Sequence, residues 1–255
     1  MSEEFEPGGE WNMVLLGLVG SHAFGLAHEE SDKDYLGVYQ IETAKLLGLD
    51  RPEETHVHTD PDFQYHELGK FCRLALGCNP TILELLWLPE YLVENSVGST
   101  LVGLRHEFLS DRARDAFGGY ARQQVERMKR ATSDTKSEKN ARHVFRLITE
   151  GYDLLTTGEM SVKVRDPESL LALSRLPFDE RIERFEREIQ RLNEAKSILP
   201  PQPNKERING FLTETRLAAC PADPIMEEKL DNAKETIRMM RRMVGMPGRS
   251  FGEGL

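Results

Sequence analysis

Gly20-Ser21 is followed eleven residues later by Asp32-x-Asp34, within the stretch VLLGLVGSHAFGLAHEESDKDYLGVYQ. Carboxylate oxygens are hard ligands suited to Mg²⁺ or Mn²⁺. A Gly-Ser turn lets backbone N–H groups and a hydroxyl come close to a phosphate. Together these residue types point to displacement at the α-phosphate of a nucleoside triphosphate by a hydroxyl, with pyrophosphate leaving. Two metal ions about 3.5–4 Å apart can serve such a displacement, and they call for a third carboxylate. Asp62 is the first choice, because it opens a short period-2 segment, 62–66, that can pair with the strand bearing Asp34. Glu67 is the alternative third ligand; it opens a helix, where the macrodipole already favours a carboxylate.

The bland readings stand beside these. A Gly-Ser pair after a strand is usually a turn, Ser-Asp is a common cap, and Asp-x-Asp also occurs in glycosyltransferases and calcium loops. The conjunction carries the weight: an apolar strand (14–19), a Gly-spaced loop through Gly25, and a second strand (32–41). Alternation along that second strand would put Asp32 and Asp34 on one face.

Beyond it the pattern predicts a helix at 43–49, a polar loop at 51–61 with His56 and His58, and an amphipathic helix at 67–77. Asn79-Pro80 then caps and opens another short helix. The two histidines have no further ligands at zinc spacing. From about residue 110 the pattern is helical, with segments at 113–129, 137–156, 167–175, 179–198, 204–217 and 224–244 and a flexible tail at 247–255. On the 137–156 helix, Lys139, His143 and Arg146 recur at spacings of four and three and share a face. They are candidates for contacting triphosphate, with Tyr120 and Arg122 as weaker candidates for the same wall.

The chain has 255 residues, 39% hydrophobic content and a net charge of −10. That charge argues against non-specific wrapping of duplex DNA, which needs a basic face. Local basic clusters remain, at residues 122–146 and at Arg238, Arg241, Arg242 and Arg249. No apolar run has the length of a membrane span. Cys72, Cys78 and Cys220 form no metal or redox pattern and read as buried, reduced thiols of a cytoplasmic protein, without disulfides.

GSHAFGLAHEESDKDYLGVY resembles the G-S-x-x-x-G…S-D-x-D-x-x-G motif of the DNA polymerase β nucleotidyltransferase superfamily. DFQYHELGKFCRLALGCNPTILELLWLP, FLSDRARDAFGGYARQQVERM and KNARHVFRLITEGYDLLTTGEMSV resemble its RNA-ligase-associated, RlaP-like branch, over about residues 13–200. The resemblance implies an α+β fold: a polymerase-β-type core, a mixed sheet with flanking helices, at 1–110, and a helical domain at 111–246. It implies that Asp32 and Asp34 bind metal and act in catalysis, that Asp62 is the strand carboxylate, and that Gly20 and Ser21 bind phosphate. It assigns His22 nothing. The expected activity is Mg²⁺-dependent transfer of an NMP, AMP first, from an NTP such as ATP to an RNA or tRNA end. The alternatives are adenylylation of a protein or small molecule, and a non-catalytic nucleotide-binding protein.

Overall fold

The computed structural model describes residues 11–49 and 51–220, with isolated positions 235, 236 and 239 beyond them. The expected 224–244 helix lies almost wholly outside the described residues, and the tail and Arg238, Arg241, Arg242 and Arg249 lie wholly outside them. The chain divides into two units, Met1–Leu217 and Ala218–Leu255. The architecture below is that of the first.

Strands and helices intermingle early: β1 (Met13–Val19), α1 (Gly20–Ala23), β2 (Asp34–Tyr39), α2 (Thr43–Leu47), β3 (Thr55–Thr59) and β4 (Asp62–Glu67). Then come α3 (Leu68–Leu76), α4 (Pro80–Leu86), β5 (Val93–Glu94), α5 (Ser96–Gly103) and a 3₁₀ turn at Arg105–Phe108. The remainder is helical: α6 (Ala113–Lys129), α7 (Asp134–Thr157), α8 (Pro167–Ser174), α9 (Phe178–Glu194) and α10 (Lys205–Ala218). The five strands form one mixed sheet in the order β3-β4-β2-β1-β5, with β2 and β4 parallel and the other pairs antiparallel.

Local chemistry explains several boundaries. Asn79 caps α4 by accepting the Ile82 N–H, and Pro80 fills the first helical position, where no N–H is needed. Ser133 caps α7 through the Lys136 N–H, so the helix begins at Asp134, three residues before the expected start. Alternation splits β2 between two cores: Leu36 and Val38 enter the main core, while Tyr35 and Tyr39 join an aromatic cluster with Trp11, Phe63 and Tyr65. Along α7, Ala141, Val144, Leu147, Ile148, Leu154 and Leu155 are buried in the main core, which anchors this long helix against α6.

Four expectations need correction. β2 begins at Asp34, so Asp32 precedes the strand. The 51–61 segment contains a strand, β3, whose pattern hides because it is an edge: Val57, His58 and Thr59 are exposed and lack an apolar face. β5 and α5 had no counterpart in the sequence reading. Cys220 is exposed, while Cys72 and Cys78 are buried; all three are free thiols.

Candidate active site

The parallel pairing of β2 with β4 aligns Tyr35 with Phe63. One step back, this register sets Asp34 beside Asp62 at the start of both strands. Asp34 is on the same strand face as Leu36 and Val38, so its carboxyl is drawn toward the helical side of the sheet. Asp62 can begin β4 there because Asp60-Pro61 turns the β3–β4 hairpin, with Thr59 opposite Asp62.

β1 delivers the chain to the same place. Gly20 adopts φ +65°, and a Cβ built on it would fall 2.0 Å from Asp34 Oδ2. A side chain here would therefore meet both backbone strain and the carboxylate itself. The loop is closed by the Phe24 N–H on the Gly20 carbonyl (3.1 Å) and the Leu26 N–H on the Ser21 carbonyl (2.9 Å). Gly25 also has positive φ, +71°, with the aliphatic stem of Lys163 packed against it.

These elements border a cleft of about 530 Å³. Gly20, Asp34 and Asp62 form its sheet side, and α4, α6 and α7 contribute Glu84, Tyr120, Arg127, His143 and Arg146. The Asp34 carboxyl is held above its ordinary range, first by burial and then by the negative charges of Asp62 and Asp32; Lys139 and His22 pull the other way. Asp32, exposed in the loop before β2, and Lys139, exposed on α7, are thus electrostatic neighbours of Asp34. Oxygen donors of the type Mg²⁺ prefers meet at one cleft edge, and a divalent ion there would relieve their mutual repulsion. Among the described residues, no three His, Cys, Asp or Glu side chains are already gathered into a metal cage.

Glu67 is engaged elsewhere. Its carboxylate caps α3 through the N–H groups of Gly69 (2.7 Å) and Lys70 (3.1 Å), and Arg216 pairs with it at 3.0 Å. It is 1% exposed and does not border the cleft.

The α7 trio divides into three different roles. Lys139 is exposed and makes no ion pair among the described residues. His143 faces the cleft, edge-on to Phe24, and its imidazole is pushed down to about 4 by burial and by Arg146 and Lys139. It is therefore neutral near pH 7. Arg146 also borders the cleft, yet Glu84 and Glu150 each accept from its Nη1 at 2.6 Å. Its guanidinium lies over the Phe24 ring, 3.7 Å from the centroid. Its charge is compensated within the protein, so it serves α4, α7 and the glycine loop together. The Tyr120 hydroxyl accepts from Asn79 at 2.6 Å on the cleft wall, whereas Arg122 is exposed and absent from that wall.

Several cleft residues escaped the sequence reading: Gln64, Thr81, Glu84, Gln123 and Gln124. Thr81 and Glu84 carried a signal of a kind, three residues apart on a capped helix. The glutamines carried none. His22, whose Nε2 lies 3.3 Å from the Ser31 carbonyl, also earns a place through its influence on Asp34.

A family model described as RlaP, RNA repair pathway DNA polymerase beta family, matches residues 3–210. No curated protein matches the chain. The match spans most of the sequence, so the chain belongs to this family. Membership implies a polymerase-β-type nucleotidyltransferase of RNA repair, and enzymes of that type generally use divalent metals and an NTP.

Proposed function

We propose that this member of the RNA repair pathway DNA polymerase beta family transfers an NMP, AMP in the first instance, from an NTP to a hydroxyl at an RNA or tRNA end, in the cytoplasm. The observation that carries the reading is the strand register that sets Asp34 beside Asp62, against the Gly20 turn, at the edge of a nucleotide-sized cleft.

Asp32, Asp34 and Asp62 would hold two Mg²⁺ or Mn²⁺ ions, which when bound neutralise the triphosphate and acidify the attacking hydroxyl. The protein's own groups do the rest. Gly20 and Ser21 admit the β- and γ-phosphates close to the backbone. Arg127 on the cleft wall and Lys139, an electrostatic neighbour of Asp34, are two cations without an ion pair among the described residues, and they balance phosphate charge. Asp62 accepts the proton of the acceptor hydroxyl as its oxygen bonds to the α-phosphorus and pyrophosphate departs. Neutral His143 and the glutamines of α6 provide hydrogen bonds without adding charge. Arg146 positions rather than neutralises. Residues 1–110 would supply most of the transfer chemistry, and α6 and α7 would close the cleft.

The test is incubation with α-labelled NTPs and Mg²⁺ or Mn²⁺ alongside RNA, cell protein and small-molecule extract. Label should move to RNA and vanish with Asp34→Asn. Transfer to protein alone would replace the acceptor assignment with protein adenylylation. Binding of NTP without transfer to any acceptor would leave a nucleotide sensor. Asp62→Asn should abolish turnover in a protein of unchanged stability. Glu67→Gln should lower stability while the folded fraction keeps its turnover. The reverse outcome would hand the third ligand to Glu67.

A further inference from the structure

Joined by the short turn at 130–133, α6 and α7 pack against each other as an antiparallel pair. Each carries part of the cleft wall and then continues past it toward the turn. On α6, Tyr120, Gln124 and Arg127 border the cleft at spacings of four and three, and Arg130, at the C-cap, is the next position in that stripe. On α7, read toward its N-terminus, Arg146 and His143 border the cleft, and Lys139 and Lys136 extend the same stripe, with Arg142 at its flank. Seven residues separate His143 from Lys136, about 10 Å of helix at 1.5 Å per residue.

Beyond the cleft edge both stripes are cationic. Arg127, Arg130, Lys136 and Lys139 are exposed and Arg142 is half-buried; none of the five makes an ion pair among the described residues. Their fields converge, since Lys139, Arg142 and Arg127 all act on His143 together with Arg146. The neighbouring carboxylates are occupied or turned aside. Glu126 accepts from Lys129 at 2.9 Å, with Arg130 one turn on. Asp134 and Glu138 fall, by helical spacing, on the side of α7 that buries Ala141 and Phe145. A cluster of like charges repels itself, and an anionic partner would relieve that repulsion. Arg130, Lys136 and Arg142 do not border the cleft, so a nucleotide seated there leaves them unmatched. At roughly 3.4 Å or more per phosphate along one strand, the tip has room for two or three phosphates. A duplex carries twice that charge per unit length, and the rest of a surface with net charge −10 opposes it.

We propose that the tip of the α6–α7 pair is the docking surface for the backbone of a single-stranded RNA end, with Arg130, Lys136 and Arg142 on the phosphates next to the nucleotide whose hydroxyl enters the cleft. Choosing RNA over another polyanion rests on the nucleotidyl-transfer reading; the run of cations without ion pairs does not.

The test is fluorescence anisotropy of labelled single-stranded RNA with the full-length protein, without NTP or divalent metal, across a salt series. Wild type should bind, with an affinity that falls as salt rises. Arg130→Ala with Lys136→Ala should weaken binding roughly fivefold or more and flatten the log–log salt slope by about 1.4, the share of two phosphate contacts on a single strand. Arg130→Lys with Lys136→Arg should keep both. Lys196→Ala with Arg207→Ala removes the same charge from exposed positions elsewhere and should leave binding within about twofold. Lys196 is remote from the tip, because Arg114, at the far end of α6, donates to the carbonyls of Leu192, Asn193 and Ala195. No binding by wild type, a tip variant that binds like wild type, or an equal loss in the control pair would overturn the proposal. Displacement of the RNA by polyglutamate at equal charge would also overturn it and make an acidic protein the partner. Label transfer to RNA that persists alongside any of these results would leave the transferase reading intact. Binding that behaves as expected in a protein that transfers no label would instead sink the transferase reading and leave the surface standing.

Discussion

Replacing Arg146 by Met should destabilise this protein more than almost any other single change near the cleft. The guanidinium is 8% exposed and stands between two carboxylates that are each 4% exposed. Removing the cation leaves both glutamates buried without their partner, a change that costs about 3–5 kcal/mol in comparable buried pairs. Loss of the contact with Phe24 adds about 1 kcal/mol. Against a total stability of roughly 5–15 kcal/mol this is severe, and for a unit of this size it corresponds to a fall in Tm of roughly 8–24 °C. Urea unfolding followed by circular dichroism at pH 7 measures it. The triple change Glu84→Met, Arg146→Met, Glu150→Met should recover much of the loss, because well-packed apolar groups often replace a buried ionic cluster at little cost. A loss below about 1 kcal/mol for the single variant, or a triple variant worse than the single, would refute the view of these residues as one self-compensated unit. The link to activity is tested with Arg146→Lys, which keeps the charge but not the planar face. It should raise KM for NTP in the same way as the uncharged change Phe24→Leu, and the double variant should be no worse than either. Additive effects would return Arg146 to direct phosphate binding.

Gly20→Ala should lose both stability and turnover, since its Cβ would lie 2.0 Å from the Asp34 carboxylate in a backbone at φ +65°. Gly25→Ala should cost only about 1 kcal/mol, because the atom in its way, 3.3 Å off, is the Cε of flexible Lys163; equal effects at the two sites would contradict this ordering. Stability should also fall as pH drops from about 6.5 toward 4. His66 and His143 are each held down to about 4 by burial, so the unfolded chain takes up protons first. The slope approaches ~1.4 kcal/mol per pH unit for each histidine, offset in part by Glu150, which burial pushes up to about 8, and His143→Phe should remove about one histidine's share. A flat profile of urea midpoints between pH 7 and 5 would rule this out.

The glycine loop and the strand carboxylates were legible because their chemistry is local. A turn needs Gly, a metal needs oxygen ligands, and strand, turn and strand follow one another within 27 residues from Met13 to Tyr39. The helices were legible because burial imprints a period on the sequence: 113–129 matched α6 end to end. β3 was not, since an exposed edge strand of Thr, His and Val carries no buried face to betray it.

Arg146 shows the deeper limit. Helical spacing placed it with Lys139 and His143, yet spacing says nothing about a partner 62 residues away, and Glu84 is such a partner. The carboxylate that decides what Arg146 can do sits on α4, in a stretch that reads as architecture. The same blindness hid Gln123 and Gln124, whose place on the cleft depends on how α6 crosses α7. A cation on a helix face becomes a phosphate ligand only if nothing inside the protein has already compensated it. By that criterion we propose Lys139 and Arg127, rather than Arg146, as the charges that would meet phosphate, with the arginine, paired to Glu84 and Glu150 and lying over Phe24, holding the glycine loop.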